Sequence, residues 1–360
     1  SPAQRALQPR LEASHMEDMV ASMALIRPGP IKGNMVEPYI NRRQGKEAIT
    51  YIHPALEPIL EKTYGVVLFQ EQVIEIARLV AGFTPGEADQ LRRVMSHARS
   101  QKLMEEIGEK FVQRAIAQGI TADIAAQIFS YMLGYASYGF CEAHAAAFAT
   151  TSFKTAYLIR HHPAEYFTAL LNHQPLGYYP PHIIGNEARR RGINILGPDV
   201  NRSEINFRVE DGCIRTGLKQ IKSLSAISQQ SIVDARQEGP FVSPCDFVNR
   251  TELKRDELEN LIKCGALDNL QANRRQLLVS LAGWLKAKNR GGFSSASLSP
   301  LQADTVVPDI SYAEKKSLEI DILGLELGTH SMALLRPQLT KRNIKSSRDL
   351  DNLKPGTIIQ

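Results

Sequence analysis

The chain has 360 residues, of which 43% are hydrophobic, 22% charged and 7% aromatic. That is close to a soluble globular average and excludes collagen-like, coiled-coil and wholly disordered classes. Forty-three Lys and Arg against 38 Asp and Glu leave a formal charge of +5, a surplus that permits a polyanionic partner without demanding one. No apolar run approaches the roughly 20 residues a membrane span needs, so no membrane partner is expected. Position 1 is Ser and no basic-then-apolar leader follows, which reads as a piece cut from a longer chain. The cysteines are Cys141, Cys213, Cys245 and Cys264. Their wide spacing suits neither a zinc knuckle nor a disulfide framework, and a reducing, cytoplasmic setting is expected.

In chain order, Tyr64-Gly-Val-Val-Leu-Phe-Gln70 is a short apolar run of the kind that forms a buried strand. Thr84-Pro-Gly-Glu87 is a capping box with proline at the first helical position, predicting a helix from about Pro85 toward Met95. Thr121 and Asp123 open a second helix, with Ile124, Ile128, Phe129 and Met132 on one face. An alanine-rich third helix runs from His144 to His161 and ends before Pro163. Beyond Ile184 the texture changes to short strands: Ile193–Leu196, then Ile205–Val209 and Cys213–Arg215 joined by a hairpin at Asp211-Gly212. Short helices separated by tight turns follow from Gly217 to Leu270, one starting after Ser243 and another closed by Gly265. Gly217–Ala235 and Glu252–Leu270 form a faint repeat, each long enough for two helices and a turn. Asn273 to Arg290 holds Arg274, Arg275, Lys286, Lys288 and Arg290 with no acidic residue. A Ser/Gly/Pro-rich linker spans 291–308, an amphipathic helix lies around Tyr312–Leu325, and Thr357–Gln360 reads as the start of a strand.

A nucleotidyl or phosphoryl transferase needs clustered carboxylates for its metal ions, and no such set is expected here. The densest acidic group, Glu105, Glu106 and Glu109, sits on an alternating-charge helix and reads as a solvated face. Phosphate-loop, nucleophile-elbow and zinc-protease motifs are absent from the sequence. Cationic and aromatic groups are more informative. Arg92-Arg93 on the capped helix can aim two guanidinium forks at a polyphosphate, although two exposed helical arginines are the commoner reading. Tyr138-Gly-Phe140 followed by His144 offers a glycine-relieved turn, a ring for stacking and an imidazole; a packed loop with a capping histidine reads as easily. Arg27-Pro-Gly-Pro30 is a rigid turn carrying one cation.

These stretches, taken together, resemble the alpha subunit of bacterial DNA polymerase III, the C-family DNA polymerases. The similarity runs through Ala24-Leu-Ile-Arg-Pro-Gly-Pro30, His53-Pro-Ala-Leu-Glu-Pro58 and Tyr64–Val73. It continues through Leu91-Arg-Arg-Val-Met95, Gly134–Phe140, His144–Phe148 and His162-Pro-Ala-Glu-Tyr166, then Pro198-Asp-Val-Asn201 and Leu261–Asp268. The resemblance implies a mainly α fold with a small β portion: a helical fingers domain, then a tandem helix-hairpin-helix module. It assigns 1–190 to the fingers, 191–270 to the DNA-gripping module, 271–310 to a basic segment and linker, and 311–360 to the start of an oligonucleotide-binding barrel. It makes Arg92 and Arg93 contacts to the triphosphate of an incoming deoxynucleotide, with Tyr138 and His144 beside it. It makes Lys219, Lys222, Ser223, Ser225, Lys263, Arg274 and Arg275 contacts to duplex and template DNA. Mg²⁺ would be held by palm aspartates outside this chain, and the chain alone would not polymerise.

Two departures stand out. The family's glycine-containing hairpin is here Ile221-Lys-Ser-Leu-Ser-Ala-Ile227, which puts close approach to a phosphate in question. Cys141-Glu142 after Tyr-Gly-Phe, and Leu171–Tyr178, look like the accessory, error-prone branch. Gln302–Val306 falls where some members carry a sliding-clamp peptide, but Thr305 and Val306 are poor apolar anchors. The rival reading is a stand-alone, non-catalytic DNA-binding or polymerase-interaction protein; the upstream reading frame discriminates the two.

Overall fold

The computed structural model describes residues 2–27, 31, 34–97, 101–135, 140–289 and 307–353. The chain divides into two compact units, Ser1–Ala156 and Tyr157–Gln360. The boundary expected near residue 190 therefore lies inside the second unit.

In the first unit, helices α1 (Pro2–Leu11), α2 (Met16–Leu25), α3 (Val36–Arg43) and the single turn α4 (Glu57–Leu60) precede the elements that carry the site. Helix α5 (Gln70–Ala81) buries Val73, Ile76, Ala77, Val80 and Ala81, a stripe at helical spacing, and Gly82 ends it with φ 60°. Helix α6 (Pro85–His97) opens with the expected capping box: Thr84 N–H donates to Glu87 Oε2 at 2.9 Å, and Glu87 N–H donates back to Thr84 Oγ1 at 3.4 Å. Glu87 also accepts from Lys110 and Arg114 of α7 (Gln101–Ala117), at 2.8 Å each. Those bonds hold its carboxyl well below the usual range, so one side chain both caps α6 and ties it to α7. Helix α8 (Ala122–Tyr135) packs on α7 through Phe111 and Phe129, and α9 (Glu142–His161) follows.

The run at Tyr64–Gln70 is buried, as its apolar residues require, but it is not a strand. Leu68 and Phe69 N–H both donate to the Gln72 side-chain oxygen, at 2.8 and 3.0 Å. Gln72 thus supplies the acceptor a neighbouring strand would have supplied, and its amide donates on to Ile59 O and Thr63 Oγ1. Among the described residues its one ladder-like contact is a single bridge, Phe69 to Phe140.

The second unit contains α10 (Pro163–Asn172), α11 (Pro181–Arg190) and a three-stranded sheet of order β1-β3-β2. Here β1 (Ile195–Leu196) is parallel to β3 (Cys213–Arg215), and β2 (Arg208–Glu210) is antiparallel to it. Asp211 and Gly212 turn the hairpin at φ 51° and 75°, the pair of left-handed residues a two-residue hairpin calls for. Helices α12 (Ala226–Gln237), α13 (Pro244–Arg250), α14 (Arg255–Lys263) and α15 (Arg274–Lys288) follow, then α16 (Tyr312–Leu323) and α17 (Ser331–Lys341). Residues 291–306 of the linker, including Gln302–Val306, and the expected strand at Thr357–Gln360 lie outside the described residues.

Glu210 on β2 accepts from Arg215 at 2.6 Å, from Arg208 and from Arg202; the bonds from Arg215, then Arg208, lower its pKa to about 2 against burial. A depressed carboxyl stabilises the fold above its unfolded pKa and releases that stability as pH falls through the folded one. Acid titration of urea stability should therefore show a loss below pH 4.5 continuing toward about 2 that is markedly smaller in Glu210→Gln. Parallel curves for the two proteins would refute the role of this cluster.

Candidate nucleotide and DNA-binding sites

In the first unit the capping box and the α5–α6 packing present Arg92 and Arg93 on one stretch of α6. Their side chains are 28% and 70% exposed. Asp89, one turn earlier, gives one carboxylate oxygen to each: Arg92 Nε donates to Oδ1 at 2.9 Å and Arg93 Nε to Oδ2 at 2.7 Å. Hydrogen bonding from Arg92, then from Arg93, keeps the Asp89 carboxyl below its ordinary pKa. Arg92 Nη1 reaches the side-chain oxygen of Gln70 at 3.3 Å, and Gln70 N–H donates to the carbonyl of Phe140 at 3.0 Å. The Phe140 ring meets His144 edge-on at 5.2 Å, and His144 meets Phe148 at 4.7 Å. On the Phe140 ring also lies the guanidinium of Arg27, 4.1 Å from its centroid. The fold therefore brings together Arg92, Arg93 and His144 around the Phe69–Phe140 bridge. Tyr138 lies outside the described residues. Arg27, Gln70, Asp89 and Phe140 were missing from the sequence-derived site; only Asp89 has a local signal, its three- and four-residue spacing to the arginines.

In the second unit the hairpin after β3 runs through Leu218–Gln220 and Ile221–Ser225 into α12. Ile221 and Leu224 are buried beneath it, and Lys219, Lys222, Ser223 and Ser225 are exposed. Ser223 takes φ 61°, the left-handed conformation a glycine would adopt at little cost. The glycine-free hairpin thus keeps its turn, at a strain of about 1 kcal/mol. The Ser225 hydroxyl accepts from Ser228 N–H at 3.2 Å as the cap of α12, so it serves the helix first.

Glu257 of α14 reaches across to this hairpin. Its carboxylate is 2% exposed and accepts from Ser225 N–H at 2.9 Å and from Ser228 Oγ at 2.8 Å. It also accepts from Lys254 N–H at 2.9 Å, capping its own helix. Burial opposes ionisation, but these donors outweigh it and its pKa is lowered.

The second turn corrects part of the basic set. Arg274 is 4% exposed; its guanidinium binds Asp268 at 2.7 Å, Glu319 of α16 at 2.9 Å and the carbonyl of Lys263 at 2.9 Å. Two carboxylates neutralise it in the interior, so it fastens the turn to α16 and is not a surface contact. Gly265, at φ 85°, makes room for it, because a Cβ there would stand 2.2 Å from the Arg274 side chain. Lys288 likewise turns inward to the carbonyls of Val248 and Thr251 at the end of α13. Of the two DNA contacts expected in this run Arg274 is buried and Arg275 half-buried; of its other cations Lys288 is half-buried, Lys286 is exposed, and Arg290 lies outside the described residues. Lys263 is half-buried and pairs with Glu259 at 3.4 Å.

Among the described residues no three His, Cys, Asp or Glu cluster as a metal site, and no helix is long and apolar enough to cross a membrane. The sequence holds one Asp-x-Asp spacing, at Asp349-Leu350-Asp351. It lies in the turn Ser347–Asn352, where an oxygen of Asp349 accepts from Ser346 N–H at 2.6 Å and Oγ at 2.8 Å. Asp349 is thereby a turn cap.

These features define a helical unit carrying an arginine pair beside aromatic groups, and a unit built on helix-hairpin-helix turns. The family model for the finger domain of the bacterial DNA polymerase III alpha subunit matches residues 1–119, and one for a helix-hairpin-helix motif matches residues 192–277. In both units the chain is similar to this alpha-subunit family. An error-prone DNA polymerase of Symbiobacterium thermophilum is 47% identical over 406 aligned residues, covering 100% of this chain and 37% of that protein. Error-prone DNA polymerases of Anaeromyxobacter dehalogenans and Dechloromonas aromatica are 40% and 38% identical, over 98% and 100% of this chain. The chain spans about a third of the length of these curated relatives, 32% and 35% in the latter two.

Proposed function

We propose that this chain is the fingers and DNA-gripping part of a DNA-directed DNA polymerase of the error-prone branch. The observation that carries the reading is the pairing of Arg92 and Arg93 through one carboxylate, beside Phe140 and His144, in a chain that also holds the helix-hairpin-helix turns. Two fixed guanidinium groups match a deoxynucleoside triphosphate, whose charge grows on the leaving phosphates during transfer. Asp89 supplies the geometry: by holding both Nε edges it orients the forks before substrate arrives. Tyr138 and His144 would then lie against the nucleotide. Divalent metal chemistry, with Mg²⁺ as the ion, belongs to carboxylates elsewhere in the polymerase.

In the second unit Lys219, Lys222 and Ser223 form the exposed tip of the first hairpin, and its backbone N–H groups can approach phosphates of duplex DNA. Lys263 and Arg275 are secondary contacts; Arg274 is left out because it is buried and neutralised. A cytoplasmic location follows from this reading. A sliding-clamp contact through Gln302–Val306 gains no support, since Thr305 and Val306 offer no large apolar anchors.

The DNA half is tested by titrating labelled duplex against the chain over a series of salt concentrations. Binding should weaken steeply with salt, and Lys219→Glu with Lys222→Glu should cost at least about tenfold while flattening the slope by about two. Salt-independent binding, or none at low salt, would reject the assignment.

A further inference from the structure

Arg27 was read above only as the cation of a proline-bounded turn. Its guanidinium stacks on the Phe140 ring at 4.1 Å, although the two residues lie far apart in sequence. A cation–π contact engages the guanidinium charge with the ring and uses none of its N–H donors on a hydrogen-bond acceptor. Among the described residues no carboxylate forms an ion pair with Arg27.

Phe140 is itself fixed. Its backbone bridges Phe69, its carbonyl accepts from Gln70 N–H at 3.0 Å, and its ring is braced by His144 at 5.2 Å. Gln70 in turn binds Arg92 at 3.3 Å. Arg27 and Arg92 are therefore held by the ring of Phe140 and by the side chain of its backbone partner Gln70, within one unit of the fold. The chain Arg27–Phe140–Gln70–Arg92 joins four segments at least 22 residues apart in sequence.

We propose that Arg27 is a third cation of the nucleotide site, contacting the phosphates of the incoming deoxynucleotide, with Phe140 as its positioning residue. The inference rests on the nucleotide reading of Arg92 and Arg93 and extends it. Three cations in place of two suit a triphosphate that carries about four negative charges. A cation–π contact to a solvent-exposed arginine is worth about 0.5–1 kcal/mol, enough to bias its orientation without locking it.

The test is single-nucleotide incorporation by the full-length polymerase, with DNA affinity measured in parallel. Arg27→Ala should raise the nucleotide KM about tenfold or more, and Arg27→Lys should recover part of the loss. Phe140→Leu should shift KM in the same direction by less, and in the double variant Phe140→Leu should add little to Arg27→Ala. Duplex affinity should stay within about twofold, because the nucleotide and not the DNA backbone is the ligand. Arg27→Ala with unchanged nucleotide kinetics, an effect on duplex affinity alone, or full additivity with Phe140→Leu would overturn the proposal. Arg92→Ala with Arg93→Ala is run beside them. If that pair also leaves nucleotide kinetics unchanged, the nucleotide reading itself fails; if the pair is impaired and Arg27→Ala is not, only the third cation falls.

Discussion

Replacing Arg92 and Arg93 together with alanine in the full-length polymerase is expected to lower kcat/KM for nucleotide by at least about 10²–10³-fold. The size follows from what one preorganised donor contributes when it faces charge that develops in the transition state. Arg93 is 70% exposed and Arg92 half-buried at 28%, so their removal costs mainly the ion pairs to Asp89, of about 0–1 kcal/mol each. Duplex affinity should change by less than about twofold, because the proposed DNA contacts lie on the hairpin at Lys219–Ser225. The lysine pair sharpens the test. Arg92→Lys with Arg93→Lys keeps both charges but loses the forked donors that Asp89 aligns, so it should recover binding more than turnover. The decisive measurement is therefore the split between nucleotide KM and kcat across the alanine and lysine pairs. Unchanged values in the alanine pair would remove Arg92 and Arg93 from the site.

The helices were legible because their signals are local. Thr84-Pro-Gly-Glu87 encodes its own cap, and the bonds from Thr84 N–H and Glu87 N–H are the ones such a box makes. Asp211-Gly212 encodes its hairpin in the same way. What escaped the sequence depends on partners distant along the chain. Tyr64–Gln70 has the composition of a buried strand, but Gln72 satisfies its backbone and no ladder forms. Arg274 reads as a DNA contact because the run from Asn273 holds no acid of its own, whereas Asp268 and Glu319 converge on it from outside the run. The same holds for the candidate site. Arg92 and Arg93 were visible through a resemblance, whereas Arg27 on Phe140 is a contact no local spacing encodes. Ser223 is the converse case: the missing glycine put close approach to a phosphate in question, yet serine adopts the left-handed φ of 61° at the turn.

The second large effect is expected at Glu257, which joins the two halves of the helix-hairpin-helix unit. Its carboxylate, 2% exposed, accepts from the Ser225 and Lys254 amides and from the Ser228 hydroxyl. Glu257→Ala removes the acceptor of the buried Ser228 hydroxyl and of two part-buried amides, and each buried unsatisfied group costs about 1–3 kcal/mol. A loss of about 3 kcal/mol in urea unfolding of the chain is the expected result, with the cavity adding to the polar cost. Glu257→Gln retains one acceptor oxygen and a similar shape, so it should lose roughly half as much. The consequence for DNA follows from where the bonds end. Ser225 N–H and Ser228 Oγ sit at the start of α12, directly after the Lys222–Ser223 tip, so freeing them lets that tip fray. Duplex affinity should therefore fall in Glu257→Gln even under conditions where that variant remains folded, while nucleotide KM in the full-length polymerase stays unchanged. A Glu257→Gln protein that is folded and binds duplex normally would show that Glu257 serves the fold alone, and that the hairpin tip keeps its shape without it.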